Sequence, residues 1–308
     1  MAGIGFGIGL ASQGYATKSS GAAVEFIIEV DTTLAGSTPS NQFAFPMTAG
    51  TYDVDWGDGN VDLAQTGTQT HTYSVGGVYE IKATGGTRFT FANAGDKRKI
   101  TEIKQWGANL WTSWNGSFRD CIFMNVTATD APDLTNCTDI GLMFYGATGL
   151  NADFDHWDVS PVTNMLATFL GCTAFNSPLN SWDMNGVTTI NGMFKNTVAF
   201  NQPLNNWDTS TITDMTACFD NGDGFDQDIS SWDINQVTAF TNFLRNTPGL
   251  STANYDALLI GWEAQGTMAF SGTVDFGGST YTGGGAAETA RTNLIAEWGG
   301  ILDGGVAP

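Results

Sequence analysis

Residues 200–219 read FNQPLNNWDTSTITDMTACF. The Trp-Asp pair inside this stretch recurs at a spacing of 25 residues. The four copies are Trp157-Asp158, Trp182-Asp183, Trp207-Asp208 and Trp232-Asp233. A fixed period of this length predicts a stack of near-identical units, each of which buries its apolar face against the next.

Each 25-residue unit reads as a strand followed by a short helix. Around Trp207, an apolar residue stands three positions before the Trp, and Ser210 follows as a favoured helix N-cap. The next apolar positions, spaced as one face of a helix, are Ile212, Met215 and Phe219. Asn221 then tolerates the left-handed C-cap. The pattern therefore predicts a short strand, a cap, two to three turns of helix and a stop.

The quoted run resembles the surface-protein repeats of the BspA-like, leucine-rich-repeat superfamily of bacteria and some of their phages. The resemblance covers roughly residues 100–250. The repeat columns predict an α/β leucine-rich-repeat-like solenoid of about six coils. The resemblance implies that this solenoid serves extracellular display and binding. A WD40 propeller is excluded, because its blades need about 40–45 residues.

The region before the repeat shows strand signals without a helical period. The series WGDG at residues 56–59, HTYS at 71–74 and a Gly-x-Tyr strand near Tyr79 resembles the polycystic-kidney-disease (PKD) domain. This resemblance implies an Ig-like β-sandwich. The chain is thus divided into a Gly-rich N-terminal arm (1–22), a PKD-like β-sandwich (23–88), the solenoid (89–250) and a C-terminal capping region (251–308). In that last region, apolar spacing predicts helices around Tyr255–Trp262 and Ala287–Trp298.

Charge and cysteine usage limit the classes of partner. The chain has 31 acidic and 11 basic residues, a net charge of −20, so it repels nucleic acid. The apolar run Ile4–Leu10 is too short for membrane insertion. The four cysteines occupy repeat columns, and we expect them to be unpaired and buried.

The repeat places one carboxylate per unit in a row on neighbouring units. The row is Asp133, Asp158, Asp183, Asp208 and Asp233. Like charges about 4.8 Å apart repel by roughly 0.9 kcal/mol per pair in water. Two explanations stay open: each Asp accepts a hydrogen bond from the backbone two residues on, or the row forms a concave acidic face that binds a cationic group, or a glycan through calcium. His156 and Asn206, which share another column, are the other candidate ligand-binding residues.

The remaining site predictions concern packing and chemistry. The Trp column is expected to form one buried file of Trp106, Trp157, Trp182, Trp207 and Trp232. No nucleophile–base pair emerges, so the sequence predicts no enzyme and no catalytic residue. No cofactor or metal site is predicted, although calcium is left open by the Asp row and by Asp53, Asp55 and Asp58, which a tight hairpin explains as well.

These features predict a display and recognition protein, with two origins in competition. The first is a virion protein, such as a phage tail or fibre component that contacts the host surface. Its Gly-rich arm would bind other virion proteins, and the apparent lack of a secretion signal favours it. The alternative is an extracellular adhesin on a bacterial cell surface. Either would bind a host surface protein or glycan, and a homo-oligomer is left open.

Overall fold

The computed structural model describes residues 24–308, so the predicted N-terminal arm lies outside the described residues. Ten strands fill the first part. They are β1 (Phe26–Asp31), β2 (Gln42–Phe45), β3 (Met47–Ala49), β4 (Thr51–Asp55), β5 (Val61–Thr66), β6 (Gln69–Thr72), β7 (Val78–Gly85), β8 (Arg88–Phe89), β9 (Ile100–Gln105) and β10 (Asn125–Val126). Six of them form one sheet in the order β10-β9-β1-β7-β4-β5. Neighbouring strands of this sheet pair antiparallel, except β10 and β9, which are parallel.

The alternation of side chains explains how this sheet packs. Phe26, Ile28 and Val30 of β1 are fully buried, and the residues between them point to the partly exposed face. On that face Lys104 joins Glu29 at 2.8 Å and Glu80 at 3.3 Å. Burial of one face therefore fixes the register of the sheet.

The predicted PKD-like β-sandwich is wrong. Two separate two-stranded sheets, β2-β6 and β3-β8, accompany the six-stranded sheet instead of a second continuous layer. Pro46 separates β2 from β3 and has no N–H to donate to a ladder. The strands on either side of it consequently pair with different partners.

Consecutive repeat units are joined by isolated parallel bridges. Between β10 and residue 252 the structure contains no α-helix and no strand longer than one such bridge. The bridges link residues of one column, Asp139, Asn164, Thr189, Asp214 and Ala239. Bridge partners in consecutive units are therefore separated by the 25-residue period. The units themselves are built from turns.

The predicted leucine-rich-repeat-like solenoid, with a strand and a helix in each coil, is also wrong. Ala167, in the middle of one predicted helix, has φ of 52°, and the four equivalent residues have φ between 53° and 60°. A left-handed residue cannot continue a right-handed helix. Every second N–H instead donates to the next unit, as Met165 does to the Thr189 carbonyl (3.1 Å) and Ala167 to the Asn191 carbonyl (2.8 Å).

Two helices and four short strands complete the chain. They are α1 (Thr252–Glu263), β11 (Gly272–Asp275), β12 (Thr280–Tyr281), α2 (Ala286–Trp298), β13 (Gly299–Leu302) and β14 (Gly305–Val306). Both helices expected from the apolar spacing are present, and they bury the predicted residues. The strands pair in parallel, β11 with β13 and β12 with β14. Within residues 24–308, no helix is long and apolar enough to cross a membrane.

The terminal elements continue the hydrogen bonding of the repeat. The Leu244 N–H donates to the Asp275 carbonyl, and the Phe276 N–H to the Leu302 carbonyl, each at 2.8 Å. The indole N–H of Trp262 in α1 reaches the Ile229 carbonyl at 3.2 Å. One hydrophobic cluster consequently extends from Phe26 to Ile301.

Candidate functional site

The Trp column lies in the interior and cannot contact a ligand directly. Trp106 and Trp232 are 0% exposed, and Trp157, Trp182 and Trp207 are 2–4% exposed. The Trp207 and Trp232 rings stack with centroids 5.9 Å apart. These side chains hold neighbouring units together and so keep the exposed columns in place.

Three of these indoles also bind the backbone of the preceding unit. Trp182 Nε1 donates to the Phe154 carbonyl at 2.7 Å, and Trp207 Nε1 to the Leu179 carbonyl at 2.8 Å. Trp232 Nε1 makes the equivalent bond at 3.0 Å. Trp157 Nε1 is buried without a hydrogen-bond partner in the described chain. The indole-to-carbonyl bond therefore belongs to units that have a complete unit before them.

The Asp row is tied to the local turns. Each carboxylate accepts from the backbone N–H two residues on, at 2.9–3.1 Å. The donors are Thr135, Ser160, Asn185, Ser210 and Asn235. This is the first of the two explanations left open by the sequence, and it gives each charge a local partner.

The row nevertheless remains accessible. Asp158, Asp183 and Asp208 are exposed, whereas Asp133 and Asp233 are half-buried. Hydrogen bonds from Thr135 lower the pKa of Asp133, and those from Ser210 lower the pKa of Asp208. The negative charge of these two residues is therefore stabilised at neutral pH, in fixed positions on the surface.

His156 and Asn206 lie one residue before their Trp and are exposed. His156 Nε2 is 3.2 Å from the Asp130 carbonyl oxygen. The backbone N–H of Asn206 donates to Asn180 Oδ1 at 3.0 Å. Both residues thus touch the preceding unit, and whether they bind a ligand stays a prediction.

A second polar column forms an asparagine ladder. Asn151, Asn176 and Asn201 each accept, through Oδ1, the backbone N–H found 25 residues later, always at 2.9 Å. Asp226 repeats the bond to the Ser251 N–H at 2.8 Å. The ladder satisfies backbone donors along the edge of the repeat, so its side chains serve the fold.

One charged column was missed by the sequence analysis. Asp220 is fully buried, and it accepts from Lys195 Nζ at 3.0 Å and Arg245 Nη2 at 2.7 Å. Burial alone would raise the pKa of Asp220, but the hydrogen bonds from Arg245 and Lys195 lower it below its usual value. The spacing of 25 residues between these three side chains could have revealed the trio.

Metal coordination has no support in the described part of the chain. Among residues 24–308, no three His, Cys, Asp or Glu side chains are grouped so that they could hold a metal ion. The turn residue Asp58 instead pairs with His71 at 2.8 Å. Calcium binding, which the sequence left open, therefore has no candidate cluster of ligands among these residues.

The geometry defines a repeat protein made of stacked, turn-rich units with a buried aromatic interior. The chain belongs to the family described as "Mycoplasma protein of unknown function, DUF285", which matches residues 112–222 and 179–265, together half of the chain. This match supports the resemblance to BspA-like surface-protein repeats and leaves the PKD resemblance and a phage origin without support. No curated protein and no solved structure matches the chain.

Proposed function

We propose that this protein is a non-enzymatic adhesin of a bacterial cell surface, which binds a protein or a glycan through the exposed columns of its repeat. The observation that carries the proposal is the match of the repeat to a family of surface-protein repeats. The stack supports it physically, because units joined by backbone hydrogen bonds present side chains at regular, fixed positions. Preorganised groups lose little entropy on binding.

The Asp row is the surface that we favour for a charged partner. Its three central carboxylates are exposed and are oriented by their turns. A partner with matching cationic groups would gain from a charge pattern that does not need to rearrange. The net charge of −20 would also speed encounter with a basic surface at low salt.

The location of the protein separates the adhesin from the competing virion hypothesis. Intact cells that make the full-length chain are labelled with a membrane-impermeant biotin reagent, and culture particles are purified in parallel. Recovery of biotinylated protein from cells supports the adhesin. Recovery only in assembled phage particles overturns it and favours the virion protein.

The role of the Asp row is tested by a neutral replacement that keeps the turns. In the triple variant Asp158→Asn, Asp183→Asn and Asp208→Asn, the amide oxygen can still accept the backbone N–H. We expect this variant to lose salt-sensitive binding to host cells. Its circular dichroism spectrum should match that of the wild type, which would show that the fold is kept.

A matched control changes the same amount of charge elsewhere. Asp153, Asp223 and Asp228 are also exposed, and Asp153 and Asp228 make the same turn hydrogen bond. Their triple Asn variant should bind as the wild type does. Equal losses in both variants would show that only net charge matters.

A further inference from the structure

We propose that the free edge of the N-terminal sheet, strand β5, binds an apolar segment of the chain's own N-terminal arm, residues 4–10. β5 is the last strand in the order β10-β9-β1-β7-β4-β5, and no strand of residues 24–308 pairs with its outer side. An unpaired edge presents backbone N–H and C=O groups that a further extended segment can bind. The inference is independent of the proposed adhesion, because it concerns a contact within one chain.

Two large apolar side chains are exposed on this edge. Val61 is 54% exposed and Leu63 is 66% exposed. Val61 pairs with Asp55 of β4, a partly exposed residue, so it lies on the solvent-facing side of the sheet. The one charged side chain of β5, Asp62, accepts a hydrogen bond from the buried Trp56 Nε1 at 2.8 Å and so lies on the other face. β5 itself therefore places no charge between its two exposed apolar side chains.

A groove of 290 Å³ lies beside these side chains, close to the point where the described chain begins. Its lining includes Val61, Leu63, Glu25, Asp53, Asp55 and Lys82. Because Glu25 directly follows Val24, the first described residue, the arm is attached beside this groove. Strands β1 and β5 are three strand spacings apart, about 14 Å. The residues from Leu10 to Val24 can span about 46 Å when extended, so the arm is long enough to reach β5 of its own chain.

The sequence of residues 3–10, GIGFGIGL, matches the chemistry of the edge. Apolar residues alternate with glycine, and this period of two is typical of a strand with one apolar face. The apolar members are Ile4, Phe6, Ile8 and Leu10. Paired with β5, their side chains would remove Val61 and Leu63 from water, which is favourable. The glycines place no side chain on the opposite face.

Charge favours the arm over a second copy of the sheet edge. Residues 1–22 contain no Asp or Glu, and Lys18 is their one basic residue. The groove is acidic, because Glu25, Asp53 and Asp55 outnumber Lys82. A second β5 edge would bring its own carboxylates toward these, and like charges repel. The covalent link also keeps the arm at a high local concentration near β5, which favours pairing within one chain.

A spin label next to the apolar segment tests the contact in the full-length protein. In the variant Ser12→Cys, the new thiol is labelled with a nitroxide under native conditions, in which the four natural cysteines are buried. We expect the backbone amide signals of Val61 and Leu63 in a ¹⁵N spectrum to lose most of their intensity. They should recover when ascorbate reduces the nitroxide. Undiminished signals at both positions overturn the proposal.

A mixed sample distinguishes the chain's own arm from the arm of a second copy. Spin-labelled protein without ¹⁵N is mixed with ¹⁵N-labelled wild-type protein. We expect the Val61 and Leu63 signals of the wild type to keep their intensity in this mixture. A loss as large as that within one chain overturns the assignment to the chain's own arm in favour of a second copy.

Substitutions within the arm then identify the docking segment, and they leave the core of residues 24–308 unchanged. Added to the spin-labelled variant, Phe6→Ser with Ile8→Ser removes two apolar side chains and should restore the signals of Val61 and Leu63. The matched control, Tyr15→Ser with Ala16→Ser, removes apolar groups outside the segment and should leave the signal loss as it was. Persistence of the loss in the first pair, or equal recovery in both pairs, contradicts docking through residues 4–10.

Discussion

Replacing Trp207 measures how far the stack depends on its buried aromatic file. Trp207 is 3% exposed, and a buried Trp removes about 150–250 Å² from water. At about 25 cal/mol per Å² this burial is worth about 4–6 kcal/mol. The ring also stacks between Phe194, at 6.2 Å, and Trp232, at 5.9 Å. Because alanine retains part of the burial, we expect Trp207→Ala to lower the free energy of unfolding by about 3–5 kcal/mol.

Replacement by Phe separates the hydrogen bond from the packing. Trp207→Phe removes the 2.8 Å bond to the Leu179 carbonyl, whereas Trp157→Phe removes an N–H that has no partner in the described chain. The Leu179 carbonyl keeps a bond from the Trp182 N–H, so its loss is partial. Trp207→Phe should therefore cost about 0.5–1.5 kcal/mol more than Trp157→Phe.

Urea denaturation followed by circular dichroism gives these free energies by linear extrapolation. A cost below about 1 kcal/mol for Trp207→Ala would refute the packing argument. A larger cost for Trp157→Phe than for Trp207→Phe would show that the indole-to-carbonyl bond contributes nothing.

Three further predictions follow from the ladder, the buried ion trio and the thiols. Asn201→Ala removes the acceptor of the Asp226 N–H and should lower the free energy of unfolding by about 1–3 kcal/mol in the same urea assay. An unchanged midpoint would show that the asparagine ladder does not contribute to stability. Asp220→Asn should cost about 1–2 kcal/mol at neutral pH. The folded-state pKa of Asp220 is lowered, so the stabilisation by its charge is present above the unfolded pKa of about 3.9 and is lost as pH falls through the folded pKa. The free energies of unfolding of the variant and the wild type should therefore converge in acid but differ at pH 7. All four cysteines are free and buried, so we expect all four to be alkylated once denaturant is added, with no need for a reductant. A disulfide detected by non-reducing mass spectrometry would contradict this prediction.

Part of the candidate surface was predictable because it depends on local geometry. An Asp two residues before a backbone N–H can close a turn by itself, and all five members of the row do so. The asparagine ladder was predictable from the 25-residue period.

The sequence alone determined which columns are buried, the spacing of paired units and the two terminal helices. These depend on hydrophobic periodicity, which is written in the residues. The tertiary structure decided the backbone path within each unit. Apolar spacing predicted a helix there, but Ala167 and Ala217, ordinary helix formers, adopt left-handed conformations. Their N–H groups bond to the next unit instead of to a carbonyl four residues back, and that choice exists only when a neighbouring unit is in place.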